Sequence, residues 1–233
     1  MTVYVNQLGG DPPRVGLPPE GGAVIVWALD TGRSVVAGHA VEEAAAVLDA
    51  AERERAGRLV RPGDRHAYLA SHLGLRALLG GYLGAAPGDV ALIREECPCC
   101  GGPHGRPAVA GGGVHFSLSH TAGVAYLAFA ALPIGVDVEA TPGPAVVSDV
   151  LSTLHPAETA ELTALAEADR PVALGRLWAR KEAVLKATGA GLAQGIAEPY
   201  VGSGPTPAQV AGWTLRDLTA PPGYAAAVAL AGR

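Results

Sequence analysis

Aromatic side chains are scarce in this sequence of 233 residues, at 5% of the total, although 49% of positions are apolar. Alanine and glycine carry much of that apolar fraction, a composition suited to α/β layers with close helix–sheet contacts. No apolar run reaches the roughly 18 residues of a membrane span, and the N-terminus lacks a charged-then-apolar signal pattern. The expectation is a soluble, cytoplasmic protein with no membrane partner. A surplus of positive charge is also missing: 17 Lys and Arg against 22 Asp and Glu leave a net charge of −5 and a pI near 5.8. That balance argues against a general nucleic-acid binder, so any phosphate site must be local. Cysteine is confined to Cys97, Cys99 and Cys100. Clustered and odd in number, these do not look like a secreted disulfide framework.

The length allows one large domain or two small ones with real cores. Residues 1–22, rich in Gly and Pro, read as a loose leader; 23–113 form an N-terminal half and 114–233 a C-terminal half. In the first half, 24–29 is a buried strand. Residues 42–59 are helical in pattern, with Arg53, Arg55 and Arg58 on the outer face. Asp64 caps a further helix running to Gly80-Gly81, and 90–95 is a short strand. A Cys-rich turn follows. Cys97 and Cys100 have the C-x-x-C spacing of a zinc knuckle, with His104 as third ligand; the alternative is a Gly/Pro-shaped turn carrying reduced thiols. Residues 108–113 read as a flexible link. The second half opens with a strand over 114–118 running into a polar turn at Ser119-His120. Strands at 124–130 and 134–139 follow, then helices at 156–169 and 171–189, then a closing hairpin of 209–218 with 224–231. Each half runs strand, helices, strands, although no sequence repeat is visible.

Two stretches carry chemistry. In Trp178-Ala179-Arg180-Lys181-Glu182-Ala183-Val184-Leu185-Lys186, leucines and valine recur at three- and four-residue spacing, so one stripe faces a core. Trp178, Glu182 and Lys186 form an i, i+4, i+8 row, and Gly189 and Gly191 stop the helix. Taken alone this is an ordinary solvated Glu–Lys pair, contributing roughly 0.2–0.5 kcal/mol. Lys181, however, falls inside the apolar stripe and must snorkel or meet an anion. In Ile134-Gly135-Val136-Asp137-Val138-Glu139, the period of two points both carboxylates one way. They repel unless a cation sits between them, and hard oxygen ligands of this kind suit Mg²⁺, with Glu182 able to add a third carboxylate. A solvated strand face is the plainer alternative.

Four motifs stand in a recognisable order: Gly105-Arg106-Pro107; Phe116-Ser117-Leu118-Ser119-His120-Thr121; Gly135-Val136-Asp137-Val138-Glu139; and Trp178-x-x-Lys181-Glu182-Ala183-x-x-Lys186 closed by Gly189-x-Gly191-Leu192. Together they resemble the larger, pseudodimeric 4′-phosphopantetheinyl transferases of the surfactin-synthetase-activating type, in the W-x-x-K-E-A branch that often serves polyketide and nonribosomal peptide synthases. The resemblance implies two similar α+β halves in one monomeric chain, with the active site in the cleft between them. It implies Mg²⁺-dependent transfer of 4′-phosphopantetheine from coenzyme A to a serine of an acyl or peptidyl carrier protein, releasing 3′,5′-ADP. Asp137, Glu139 and Glu182 match the family's metal ligands, and Glu182 also its general base. Lys186 matches the position that meets the pyrophosphate or leaving group. Arg106, Pro107, Ser117, Ser119, His120 and Lys181 match coenzyme A contacts, to which Arg55 and Arg58 are added by position on the first-half helix. Phe116-Ser117-Leu118 departs from the usual F-N-I or F-N-L, and the Cys-rich lead-in to Gly105 is a variant. Two other classes compete: a non-catalytic coenzyme A or carrier-protein binding module of the same fold, and a small zinc-binding protein built on Cys97, Cys100 and His104.

Overall fold

A computed structural model describes residues 1–121, 123–191 and 195–232; Leu192, the last residue of the fourth motif, lies outside them. In chain order the elements are strands β1 (Thr2–Leu8), β2 (Ala23–Asp30), β3 (Val35–Val36) and β4 (His39–Ala40), then helices α1 (Ala50–Arg58) and α2 (Pro62–Leu83). Strands β5 (Leu92–Arg94), β6 (Pro107–Val109), β7 (His115–Thr121), β8 (Val124–Ala130) and β9 (Ile134–Ala140) follow. Helices α3 (Pro144–Val150), α4 (Pro156–Ala164) and α5 (Arg170–Thr188) lead to strands β10 (Trp213–Leu218) and β11 (Tyr224–Ala231). The fold is α+β with several small sheets. Among the described residues no helix is long and apolar enough to cross a membrane.

The chain divides into two compact units that interleave in sequence: Thr2–Ile93 with Ala108–Ala131, and Arg94–Pro107 with Leu132–Arg233. In the first unit, four strands run in the order β1-β2-β8-β7, with β1 parallel to β2 and the other pairs antiparallel. Two expectations change here. Residues 2–8 are a strand rather than part of a loose leader; Val3, Tyr4 and Val5 favour extended backbone, and the Gly and Pro content begins only at Gly9. Strands β7 and β8, read as the opening of a C-terminal half, instead hydrogen-bond into the sheet of β2, in a register that pairs Trp27 with Leu127 and Leu118 with Leu127. Alternation shows that a strand has a buried face but not which strand will pair with it. Helix α2 closes this unit with Leu73, Leu78 and Leu79 against Leu29, Leu127 and Phe129. The helical stretch expected over 42–59 is broken at Asp49. Its carboxylate accepts from the Glu52 amide at 2.9 Å, while the Glu52 carboxylate accepts from the Asp49 amide at 2.9 Å, a reciprocal cap that starts α1 afresh.

In the second unit β10, β11 and β9 form an antiparallel sheet, with Asp137 opposite Ala227 and Glu139 opposite Ala225. Helix α5 crosses β9 and β11, packing Leu174, Leu177, Ala183, Val184 and Ala187 with Ala227 and Ala229. The scarcity of large side chains has its consequence here. A Cβ on Gly135 would lie 2.0 Å from the Ala183 carbonyl oxygen and 2.5 Å from the Ala187 nitrogen, so the helix backbone rests directly on the strand. Gly135 shares its strand face with Asp137 and Glu139, which turns both carboxylates toward α5. The helix ends at Gly189, in the left-handed region at φ 77°. Helix α4 stops at Ala164, short of the expected 169, because Leu165 is extended, and α3 had no counterpart in the sequence reading.

Candidate functional site

The close approach of α5 to β9 brings Asp137, Glu139, Glu182 and Lys186 together in one unit. Asp137 is buried, with 1% of its surface exposed, and accepts a hydrogen bond from Lys186 Nζ at 2.6 Å. The lysine therefore pairs across to the strand rather than with Glu182 one turn earlier on its own helix. Its side chain keeps 31% exposure, and an ammonium has three donors, of which this bond uses one. Burial and the neighbouring Asp137 push the Glu139 carboxyl up to about 7, with Glu182 adding to the rise and Lys186 opposing it. Burial and Asp137 likewise raise the Glu182 carboxyl, again against Lys186. Three carboxylates thus face one ammonium, and the excess of negative charge is only partly relieved by proton uptake. A hard divalent cation meets that excess with the oxygen donors it prefers, so the donor set fits Mg²⁺. As a set, the three carboxylates do not come within 4.8 Å of one another.

Lys181 corrects the sequence reading. Expected as a coenzyme A contact, it is 0% exposed and pairs at 2.8 Å with Glu158, also 0% exposed. Its ammonium also donates to the Pro199 carbonyl at 2.7 Å. Burial lowers its pKa and Glu158 opposes that shift. Of the two outcomes open to a lysine in the apolar stripe, snorkelling or an anion, it takes the second: Glu158 is that anion, supplied by α4. A partner 23 positions upstream leaves no trace in spacing. Arg180, next to it, is equally buried; it donates to both Asp217 oxygens at 2.7 and 2.6 Å and to the Gly202 and Gly204 carbonyls at 2.6 and 2.9 Å.

Arg106 belongs to the same unit. It is half-buried, pairs with Glu95 at 2.8 Å and donates to the Ala187 carbonyl at 2.8 Å, tying its loop to the last turn of α5. Pro107 beside it opens β6. Cys97, Cys100 and His104 converge in the preceding turn, their donor atoms within 4.8 Å of one another, a group separate from the carboxylates.

The other candidates lie in the first unit. Ser117 and Ser119 are buried on β7, and His120 is exposed; the strand continues through the expected turn to Thr121. His120 meets Tyr68 edge-on at 6.2 Å between ring centroids, and Tyr68 stacks on His72 at 3.9 Å. His72 reaches Glu52 at 2.8 Å, and Glu52 pairs with the fully buried Arg76 at 2.5 Å. This chain from α1 through α2 to β7 was not anticipated, since its members are far apart in sequence. Arg55 and Arg58 are exposed on α1, Arg58 pairing with Glu54 at 2.5 Å.

Comparison with known proteins identifies the family. Residues 133–228, which span β9, α5 and the closing hairpin, match the profile of the 4′-phosphopantetheinyl transferase superfamily. The chain is 34% identical over 202 residues to 4′-phosphopantetheinyl transferase HetI of Nostoc sp. (strain PCC 7120 / SAG 25.82 / UTEX 2576), covering 82% of each protein. It is 28% identical over 176 residues to the protein named "Putative 4'-phosphopantetheinyl transferase slr0495" of Synechocystis sp. (strain ATCC 27184 / PCC 6803 / Kazusa), covering 73% of this chain and 67% of that one.

Proposed function

Since the chain belongs to the 4′-phosphopantetheinyl transferase superfamily, we propose that it moves the 4′-phosphopantetheine group from coenzyme A to a serine hydroxyl of a carrier protein and releases 3′,5′-ADP. One observation carries the reading: three carboxylates of β9 and α5 face a single half-exposed lysine. Asp137, Glu139 and Glu182 are the proposed ligands of Mg²⁺, which when bound would neutralise pyrophosphate charge and polarise the phosphoryl group. Glu182 is the proposed general base. Its raised pKa strengthens it as an acceptor for the serine proton, directly or through water. Lys186, partly exposed and with two ammonium donors beyond the one given to Asp137, donates to the pyrophosphate or to the departing oxygen. Arg106, held at the end of the same helix, adds a fixed guanidinium suited to bidentate phosphate binding. In this reading the protein acts as a monomer in the cytoplasm on acyl or peptidyl carrier proteins of the kind used by polyketide and nonribosomal peptide synthases, as the W-x-x-K-E-A pattern suggests.

The test is intact-mass analysis of an apo carrier protein incubated with this protein, coenzyme A and Mg²⁺. The expected result is a mass gain of one phosphopantetheinyl group that disappears when EDTA removes the metal. Coenzyme A binding by calorimetry without transfer to any carrier would instead identify a non-catalytic binding module.

A further inference from the structure

The turn between β5 and β6 carries a cluster that the transfer reaction does not use. Its backbone is folded by its own hydrogen bonds: the Cys97 amide donates to the Gly102 carbonyl at 2.8 Å, the Gly101 amide to the Cys97 carbonyl at 2.8 Å, and the His104 amide to the Gly102 carbonyl at 2.8 Å. Gly101 takes the left-handed conformation at φ 72°, which reverses the chain after Cys100. The Gly102 amide donates to the Cys100 sulfur at 3.4 Å. Amides aimed at sulfur stabilise thiolate. His104 Nε2 stands 3.0 Å from Cys100 Sγ. A Cβ at Gly102 would come within 3.0 to 3.4 Å of both side chains, so the absence of a side chain there lets them converge.

We propose that Cys97 Sγ, Cys100 Sγ and His104 Nε2 bind one zinc ion, with a water molecule completing the tetrahedron. All three donor atoms already lie within 4.8 Å of one another, two thiolates and an imidazole are ligands zinc favours, and the C-x-x-C pair has the knuckle spacing. Binding releases the two thiol protons to solvent, and two thiolates with a neutral imidazole then balance the dication. Cys97 is buried while Cys100 and His104 are exposed, which leaves the solvent side open for the water. Cys99 does not join the converging set and stays a free thiol. The ion locks the turn that ends at Gly105 and Arg106. Gly105 is already pressed so tightly on the Glu95 and Glu96 carbonyls that a Cβ would lie 2.6 and 2.7 Å from them.

Anaerobic titration of the reduced, metal-free full-length protein with Co²⁺ tests this without any reference to transfer activity. The expected result is one equivalent bound, with a thiolate-to-cobalt charge-transfer band and tetrahedral visible bands, all lost on adding one equivalent of Zn²⁺. Cys100→Ser and His104→Ala, both at exposed positions, lose those bands while far-ultraviolet circular dichroism stays native; Cys99→Ser keeps them. Hydrogen exchange of residues 95–106 slows when Zn²⁺ is added. The proposal is overturned if the folded, reduced protein takes up no stoichiometric Co²⁺ or Zn²⁺. It is equally overturned if Cys99→Ser abolishes the bands, or if Cys100→Ser binds as the parent does.

Discussion

Helix α5 carries two charged clusters a residue apart, and they are built on opposite principles. Arg180 and Lys181 are buried with anions to match them: Asp217 takes both guanidinium branches and Glu158 takes the ammonium. Backbone carbonyls of Gly202, Gly204 and Pro199 accept from the same two side chains. Charge is balanced there and the donors are used internally, which is what a buried ion pair must achieve to survive desolvation. On the face turned to β9, three carboxylates share one lysine, and two of them are held above the usual carboxylate range. The first cluster holds α4, α5 and β10 together. The second keeps an excess of negative charge that proton uptake only partly relieves, the kind of imbalance found at functional sites.

The largest effect expected is on the imbalanced cluster. Glu182→Gln keeps the shape and removes the base, so formation of holo-carrier falls by about 10²–10⁴-fold with the midpoint of thermal unfolding nearly unchanged; a rate within a few-fold of the parent would remove Glu182 from catalysis. Glu158→Gln reverses the pattern. It strands a buried ammonium and costs about 3–5 kcal/mol in urea unfolding, while the surviving folded protein transfers normally. Gly135→Ala tests what holds the clusters in place. Its Cβ would meet the Ala183 carbonyl, so overpacking lowers stability by about 1–3 kcal/mol and activity falls as Glu182 is pushed from Asp137.

A smaller effect concerns pH. Glu139 has its pKa raised from 4.5 to about 7 by folding, so the native state binds more protons than the unfolded chain across that interval. Stability of the metal-free protein therefore declines as pH rises from 4.5 through 7. Glu139→Gln flattens the decline, and saturating Mg²⁺ offsets it at the upper end. A metal-free stability that rose with pH over that window and was insensitive to Glu139→Gln would contradict the assignment. The smallest change is the sharpest: Lys186 is the group opposing the shift, so Lys186→Ala moves the Glu139 inflection above 7, readable by carboxyl carbon NMR.

Local patterns made much of this site legible. Period two on residues 134–139 put both carboxylates on one strand face, period 3.6 on residues 174–186 placed Glu182 and Lys186 in one row, and a lysine in an apolar stripe had either to snorkel or to meet an anion. Those inferences hold because side-chain direction follows from backbone geometry over a few residues. What spacing could not supply were the partners: Glu158 for Lys181, Asp217 for Arg180, Asp137 rather than Glu182 for Lys186, and β2 for β7 and β8. The first strand was missed because the four β-favouring residues Thr2, Val3, Tyr4 and Val5 were averaged with the Gly- and Pro-rich segment after them.

By itself the sequence determined which side chains are available and which way each faces on its own element, together with a motif order specific enough to name a family. The tertiary structure alone decided which of the charged residues of α5 are spent on holding the unit together and which are left with unbalanced charge. The physical reason lies in close packing. A helix resting on Gly135 sets the electrostatic neighbourhood of Asp137, Glu139 and Glu182, and pKa values and ion pairs depend on separations through space that no local spacing encodes.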